Sequence, residues 1–169
     1  MAAAITRGVQ AHAGKGTTVK HYAANNQETN RYANSSMVSE RTMREIYLKG
    51  FECCIKESKP YAVMSSYNLI NGIHTSEHKG LCIDILRREW GYEGILMTDW
   101  VVSAGMTAKG NIYKDPDPAK VAAAGHSLFM PGNKKDYENM SKGFKAGIVD
   151  RKQLLVNASR MYRLFGKKK

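Results

Sequence analysis

Three places in the sequence carry side chains that could bind a polar ligand or take part in acid–base chemistry. They are Lys20-His21, Tyr67-Asn68 and Asp99-Trp100. Each pair follows a short run rich in apolar or β-branched residues, which is the pattern of a strand buried in a sheet. Asp is unfavourable inside a strand, so Asp99 should mark a strand end. It could cap a following helix or act in chemistry, and the stretch alone leaves both interpretations open.

If the strands before these pairs are parallel, their carboxyl ends lie on one edge of the sheet. Ligand sites of α/β sheets and barrels gather at that edge. The crevice would then be lined by a cation, an imidazole, a phenol, an amide, a carboxylate and an indole. Aromatic faces stack on the C–H groups of sugars and polar groups bind their hydroxyls, so this set suits a sugar.

The elements that must position these side chains alternate along the chain. Strands are predicted over residues 17–22, 61–67, 94–99 and 127–130, and helices over 2–13, 39–59, 81–90, 117–124, 135–146 and 151–165. Alternating strands and helices are typical of a parallel sheet built from βα units. A barrel unit takes roughly 30 residues, so we predict about four to five units, or half a barrel. The long interval after His21 has room for a short fifth strand.

Composition and charge argue against several classes of partner. The net charge of +11 comes from basic residues spread along the chain, without the interleaved aromatic residues of a nucleic-acid site. No apolar run approaches the roughly 20 residues that span a membrane. The N-terminus lacks a basic region followed by a long apolar core, the pattern of a signal peptide. We therefore predict no nucleic-acid or membrane partner and a cytoplasmic location.

Four segments of the chain closely resemble glycoside hydrolase family 3, in the order in which that family has them. They are residues 20–28, 39–52, 63–68 and 86–100. The nearest members look like bacterial β-glucosidases with additional domains. The resemblance implies an α/β fold that is the C-terminal portion of a (β/α)8 TIM barrel. It also implies a retaining glycoside hydrolase that acts on β-linked glucosides or oligosaccharides without a cofactor or metal.

The resemblance assigns roles to individual residues. It implies that Asp99 is the catalytic nucleophile, that Lys20 and His21 bind glucose hydroxyls, and that Tyr67 lies beside the nucleophile while Trp100 walls the sugar subsite. The nucleophile must stay ionised, which a nearby Lys20 and hydrogen-bond donors would favour. A retaining enzyme also needs a second carboxyl group about 5–5.5 Å away to protonate the leaving oxygen.

The sequence also departs from the family pattern. We expect residues 1–169 to form one partial barrel domain, without the earlier barrel strands and without the C-terminal domain in which multidomain members place the acid/base glutamate. Ser127 stands where the family's last-strand motif has an aspartate, which puts that part of the site, or its supporting hydrogen bonds, in question. Glu28, Glu77 and Glu89 are carboxylates of unassigned role. The alternative is a non-catalytic half-barrel that self-associates through exposed sheet edges or binds sugar weakly.

A remote alternative is a zinc peptidase. His74-Thr-Ser-Glu77-His78 matches the H-x-x-E-H signature, which needs both histidines on one helix face. Asn71-Gly72 predicts a turn just before His74, which would leave His74 outside the helix. The cysteines Cys53, Cys54 and Cys82 have neither zinc nor disulfide spacing, so we predict small core residues or inert thiols in a reducing compartment.

Overall fold

The structure of the chain, a computed structural model, describes residues 1–103 and 113–166. The strands are β1 (Thr18–Tyr22), β2 (Ser35–Ser36), β3 (Ala62–Ser65), β4 (Leu69–Ile70), β5 (Ile73–His74), β6 (Ile95–Trp100) and β7 (Leu128–Met130). The α-helices are α1 (Ala2–Gln10), α2 (Glu40–Thr42), α3 (Lys49–Ser58), α4 (Pro118–Ala123), α5 (Lys134–Lys145) and α6 (Arg151–Phe165). A π-helical turn, Met43–Tyr47, joins α2 to α3, and a π-helical segment, Gly80–Glu89, precedes β6.

The main sheet contains four parallel strands in the order β1-β3-β6-β7. Val63 of β3 lies beside Val19 on one side and Leu96 on the other. Met97 of β6 lies beside Leu128 of β7. The predicted parallel α/β arrangement is therefore confirmed. The four strand positions are also confirmed, although β3 ends at Ser65, earlier than predicted.

A second, small sheet lies beyond the carboxyl end of β3. Its order is β2-β4-β5, with β2 and β4 parallel and β4 and β5 antiparallel. The interval after His21 does contain a short strand, β2, but it belongs to this small sheet and is not a fifth strand of the barrel. The small sheet ties the segment that follows β1 to the segment that follows β3.

The core lies between the main sheet and its outer helices. Tyr22, Val63 and Leu96 pack from three neighbouring strands against Leu48 and Leu86 of the helical layer, and all five are buried. Tyr22 makes edge-to-face contacts with Phe51 and Trp90, at centroid distances of 5.1 and 6.0 Å. A smaller apolar cluster around Val149 joins α4 to the C-terminal helices. Burial of these faces is the main source of stability for a parallel sheet.

The cysteines divide between core and surface. Cys54 and Cys82 are buried, as predicted, whereas Cys53 is exposed, because it lies on the outer side of α3. Burial raises the pKa of the Cys82 thiol to about 12, so this thiol stays protonated and unreactive at neutral pH. Within the described part of the chain, no helix is long and apolar enough to cross a membrane.

Candidate active site

Asp99 lies near the carboxyl end of β6, at the centre of the edge predicted to hold the site. Its side chain is only 8% exposed. Oδ1 accepts the backbone N–H of Trp100 at 2.8 Å, and Oδ2 lies 3.4 Å from Nε2 of His21. A buried carboxylate needs such donors, because it has lost the hydration that stabilises its charge. The other oxygen lone pairs remain available to a ligand.

His21 reaches Asp99 across an intervening strand. It belongs to β1, which pairs with β3 and not with β6. Two strand spacings of a flat sheet amount to nearly 10 Å, so a 3.4 Å contact requires that the strand ends converge. The imidazole is 37% exposed and keeps one face open to solvent. The pair therefore has the partial access that a substrate-binding group needs.

Tyr67 approaches the same carboxylate from the segment after β3. Its hydroxyl donates to the backbone carbonyl of Trp100 at 2.7 Å, directly after Asp99. Partial burial and the negative charge of Asp99 raise the pKa of Tyr67 to about 12. The phenol is therefore protonated at neutral pH and acts as a hydrogen-bond donor beside the carboxylate.

A contact that sequence reasoning missed involves Arg31 and Tyr32. The Arg31 guanidinium lies 4.6 Å from the centre of the Tyr67 ring, in a cation–π arrangement. The Tyr32 ring meets Tyr67 edge-on, with centroids 4.6 Å apart. Glu28 accepts a hydrogen bond from Arg31 at 2.6 Å. Residues 25–31 show no apolar periodicity, so no pattern in the sequence indicates that they would contact Tyr67.

Asn68 and the small sheet hold this segment in place. The Asn68 amide is fully buried, and its Nδ2 donates to the carbonyls of Ala23 and Ala24 at 3.3 and 3.2 Å. The same Nδ2 lies 3.3 Å from Oγ of Ser36 in β2. Through these contacts, the end of β3 fixes the chain that carries Arg31.

Two of the predicted site residues, Lys20 and Trp100, are exposed to solvent. Lys20 is exposed, and among the described residues it makes no ion pair with Asp99 within 4.0 Å. In this structure His21 is the basic residue that contacts Asp99, and the role of Lys20 in binding glucose hydroxyls stays a prediction. Trp100 is 54% exposed and contributes its backbone N–H and carbonyl to the site. Its indole faces solvent, so its role as a subsite wall stays a prediction.

Ser127 lies away from this edge. Its N–H donates to the carbonyl of Leu96 at 2.7 Å, so it sits three residues before Asp99 in register, or about 10 Å along the strand. Of the two expectations for Ser127, this position fits the supporting hydrogen bonds better than the sugar site itself.

The H-x-x-E-H segment does not form a helical zinc pair. The predicted turn is present, and His74 ends β5, where its Nε2 lies 2.7 Å from the Lys114 carbonyl. Glu77 accepts the N–H of Asp117. His78 accepts the N–H of Leu81 at 3.1 Å on its Nδ1. Each side chain thus caps or joins loops, and in the described ranges no group of three His, Cys, Asp or Glu side chains is placed to hold a metal ion.

Comparison with known proteins gives the family. The model of the glycosyl hydrolase family 3 N-terminal domain matches residues 1–164. β-Glucosidase B of Emericella nidulans is 50% identical over 100 residues, which are 59% of this chain and 12% of that protein. An exo-α-(1→6)-L-arabinopyranosidase of Bifidobacterium longum is 38% identical over 163 residues, which are 96% of this chain and 20% of that protein.

Solved structures agree with these relatives. β-Glucosidase 3B of Thermotoga neapolitana, in complex with α-D-glucose, matches with a TM-score of 0.83 and 36% identity, over 96% of this chain and 22% of that one. A family 3 β-glucosidase of Bifidobacterium adolescentis matches with the same TM-score and 40% identity, over 98% and 22%. The chain thus spans about a fifth or less of the length of these relatives. By its sequence and fold, this chain belongs to glycoside hydrolase family 3.

Proposed function

We propose that the chain contributes the nucleophile half of a retaining glycoside hydrolase that acts on β-glucosides. The observation that carries the proposal is the buried carboxylate of Asp99 at a strand end, with His21 and the Tyr67 hydroxyl directed at its surroundings. Its family membership and its β-glucosidase relatives support the choice of sugar.

In the proposed first step, an Asp99 oxygen attacks the anomeric carbon. The new C–O bond forms as the bond to the leaving oxygen breaks, and the leaving oxygen takes that electron pair and a proton from a general acid. Water then attacks the anomeric carbon of the glycosyl–enzyme intermediate and releases Asp99. The sugar product retains its anomeric configuration. The group that donates a hydrogen bond to Asp99, the Trp100 N–H, holds the carboxylate in its orientation. The protonated hydroxyl of Tyr67 places its partial positive charge beside the carboxylate.

General-acid assistance is the part that the family resemblance assigns to a domain outside these 169 residues. Such assistance is typically worth 10²–10⁴-fold in rate. An activated leaving group such as 2,4-dinitrophenolate needs little protonation, whereas the sugar alkoxide released from cellobiose needs a full proton. The two substrates therefore separate the nucleophile from the acid.

The first test is to assay the purified chain on both substrates. We expect slow but measurable release of dinitrophenolate from 2,4-dinitrophenyl β-glucoside and no detectable cleavage of cellobiose. Cleavage of cellobiose at about 1 s⁻¹ or faster would contradict the proposed division of labour, because an acid would then lie within this chain or a second copy. Glucose binding without any turnover of the activated substrate would favour the non-catalytic half-barrel.

The same assay should include an arabinopyranoside, because one relative is named as an arabinopyranosidase. The arabinopyranosidase of Bifidobacterium longum aligns with nearly the whole chain. A pentopyranoside lacks the hydroxymethyl group of glucose, so a matched pair of dinitrophenyl glycosides, β-glucoside and α-L-arabinopyranoside, compares the two activities directly. Faster release from the arabinopyranoside would assign the chain to that second specificity.

We also propose that copies of this chain associate through the edges of the main sheet. Each outer strand, β1 and β7, has one neighbour in the described sheet. The helices flanking these strands in sequence expose apolar side chains, Ile5 and Val9 on α1 and Tyr137 and Phe144 on α5. Two sets of four parallel strands would supply the eight of a closed barrel and remove the unpaired edges.

Light scattering after size-exclusion chromatography tests this association. At tens of micromolar we expect twice the 18.8 kDa mass of the chain. The double variant Ile5→Glu and Val9→Glu should shift the population toward the monomer, whereas Asp84→Asn, an exposed change on the 80–89 segment, should not. A monomeric wild-type chain at that concentration would contradict the proposal.

A further inference from the structure

A cluster of buried donors lies at the opposite end of the sheet from Asp99. Within the described residues, the side-chain atoms that are buried and lack a hydrogen-bond partner include Nε and Nη2 of Arg87, Nε of Arg160 and Oγ of Ser127. Buried polar atoms are nearly always paired, so several in one region require an explanation. An arginine has donors only, and therefore needs an acceptor.

Arg87 carries a buried charge without a carboxylate. The residue is only 8% exposed. Its Nη1 donates to the carbonyls of Tyr92 and Gly94 at 2.8 and 2.6 Å, and its guanidinium lies 4.9 Å from the centre of the Tyr92 ring. Burial lowers the pKa of Arg87 to about 10, which still leaves it protonated at neutral pH. None of the described carboxylates lies within 4.0 Å of it.

The nearest acidic residue is turned to the surface. Glu93 is a neighbour of Gly94, but its side chain is 67% exposed and lies 3.4 Å from the guanidinium of Arg163. Cys82 is also nearby, and burial keeps its thiol neutral. His126 is buried with a pKa lowered to about 3, mainly by burial and then by the charge of Arg87, so it too is neutral. Glu93 raises the pKa of Arg87 only as a minor effect, and none of these groups forms an ion pair with the guanidinium.

The start of β6 brings Ser127 to Arg87. Arg87 binds the carbonyl of Gly94, and the N–H of Ser127 binds the carbonyl of Leu96 at 2.7 Å. These two carbonyls are two residues apart, or roughly 6–7 Å along a strand. The side chain of an arginine or a bound ion spans that distance. Ser127 therefore lies at the same end of β6 as the Arg87 guanidinium, and its buried hydroxyl has no hydrogen-bond partner there.

Helix α6 brings Arg160 to the same place. Asn157 donates to the carbonyl of Ala122 at 2.9 Å, and Arg163 lies 3.4 Å from Glu93. Arg160 lies between these two anchors, one helical turn from each. Its positive charge lowers the pKa of Arg87, after the larger effect of burial. Two nearby cations with free donors attract an anion.

We propose that Arg87, Arg160 and Ser127 form a buried binding site for a small monovalent anion, of which chloride is the simplest. The site offers two charged groups and one hydroxyl, all donors, and lies under the starts of β6 and β7. An anion there neutralises charge that would otherwise be buried alone, so it stabilises the fold without touching the sugar site.

Thermal unfolding of the full chain at constant ionic strength tests the proposal, with chloride replacing gluconate from about 1 to 300 mM. For one bound anion, Tm should rise by about 3–5 °C for each tenfold increase above the dissociation constant. Bromide should act similarly, and should give an anomalous scattering peak beside Arg87 in a crystal. Arg160→Gln should weaken the dependence.

The variant Ser127→Asp supplies the negative charge covalently. We expect it to have a higher Tm than the wild type in gluconate and to lose the response to chloride. Ser127→Asn, which has the size of the aspartate variant without its charge, is the matched control and should not raise Tm in gluconate. Equal Tm values for the wild-type chain in chloride and gluconate would overturn the proposal, whether or not Ser127→Asp is stabilising. A chloride response that persists unchanged in Ser127→Asp would overturn it as well.

Discussion

Replacing Asp99 with alanine is expected to abolish release of dinitrophenolate from 2,4-dinitrophenyl β-glucoside, down to the rate in buffer. Loss of a catalytic nucleophile can cost on the order of 10⁶-fold in turnover, more than any other single change proposed for this chain. The carboxylate is buried and held by the Trp100 N–H and by His21, so no neighbouring carboxylate is expected to take its place. The fold should survive, because Asp99 lies at the end of a strand.

The control for this variant is the replacement of another aspartate, one that lies on the outer surface. Asp84 is exposed and forms an ion pair with Arg88 on the 80–89 helix at 2.7 Å. Asp84→Ala should leave turnover unchanged, since an exposed pair contributes little even to stability. Turnover that persists in Asp99→Ala would contradict the assignment of the nucleophile.

Chemical rescue and trapping extend the same test. Azide can attack the anomeric carbon from the space vacated in Asp99→Ala, forming a C–N bond as the dinitrophenolate leaves with the electron pair. The product should be the α-glucosyl azide, of inverted configuration. In the wild-type chain, a 2-deoxy-2-fluoro dinitrophenyl glucoside should label Asp99, and peptide mapping by mass spectrometry would locate the label. A label on any other residue would identify that residue, and not Asp99, as the nucleophile.

The features set by local sequence could be predicted. Each apolar run forms a strand buried between neighbours, so the parallel order of β1, β3 and β6 followed from alternation with helices. The position of Asp99 at the end of its strand followed from the change from apolar residues to a carboxylate. Its place on the same edge as His21 followed from the parallel order, whereas the 3.4 Å contact between them also requires that the strand ends converge.

The features set by distant hydrogen bonds could not be predicted. Beyond the end of β3, the N–H of Ser66 still donates to the Tyr22 carbonyl at 2.9 Å, and its hydroxyl donates to the Ala23 carbonyl at 3.1 Å. Arg31 reaches Tyr67 because the Asn68 side chain binds a backbone carbonyl more than 40 residues earlier in the chain. The exposure of Lys20 depends on the course of an edge strand. Periodicity in the sequence carries no information about any of these contacts.

Replacing Asn68 with alanine is expected to loosen the segment that carries Arg31. The change removes the donor that binds the carbonyls of Ala23 and Ala24 in a fully buried position. Hydroxyls of Ser66 and Ser36 still reach these carbonyls, so the loss is moderate, at about 2 kcal/mol. For a domain of this size, that corresponds to a decrease in Tm of about 4–8 °C.

Amide hydrogen exchange separates a local effect from a global one. The N–H of Leu69 binds the carbonyl of Asn34 at 2.9 Å, and the N–H of Asn71 binds that of Ser36 at 3.1 Å, so both report pairing of the small sheet. In Asn68→Ala these amides should exchange faster than the loss of global stability explains. Val149→Ala removes buried apolar contacts in the other cluster, at a cost of about 1–3 kcal/mol, and should not accelerate them selectively. Equal acceleration in both variants would mean that Asn68 acts on the whole domain. Selective acceleration would mean that the small sheet opens as a unit and that Asn68 positions Arg31 against Tyr67.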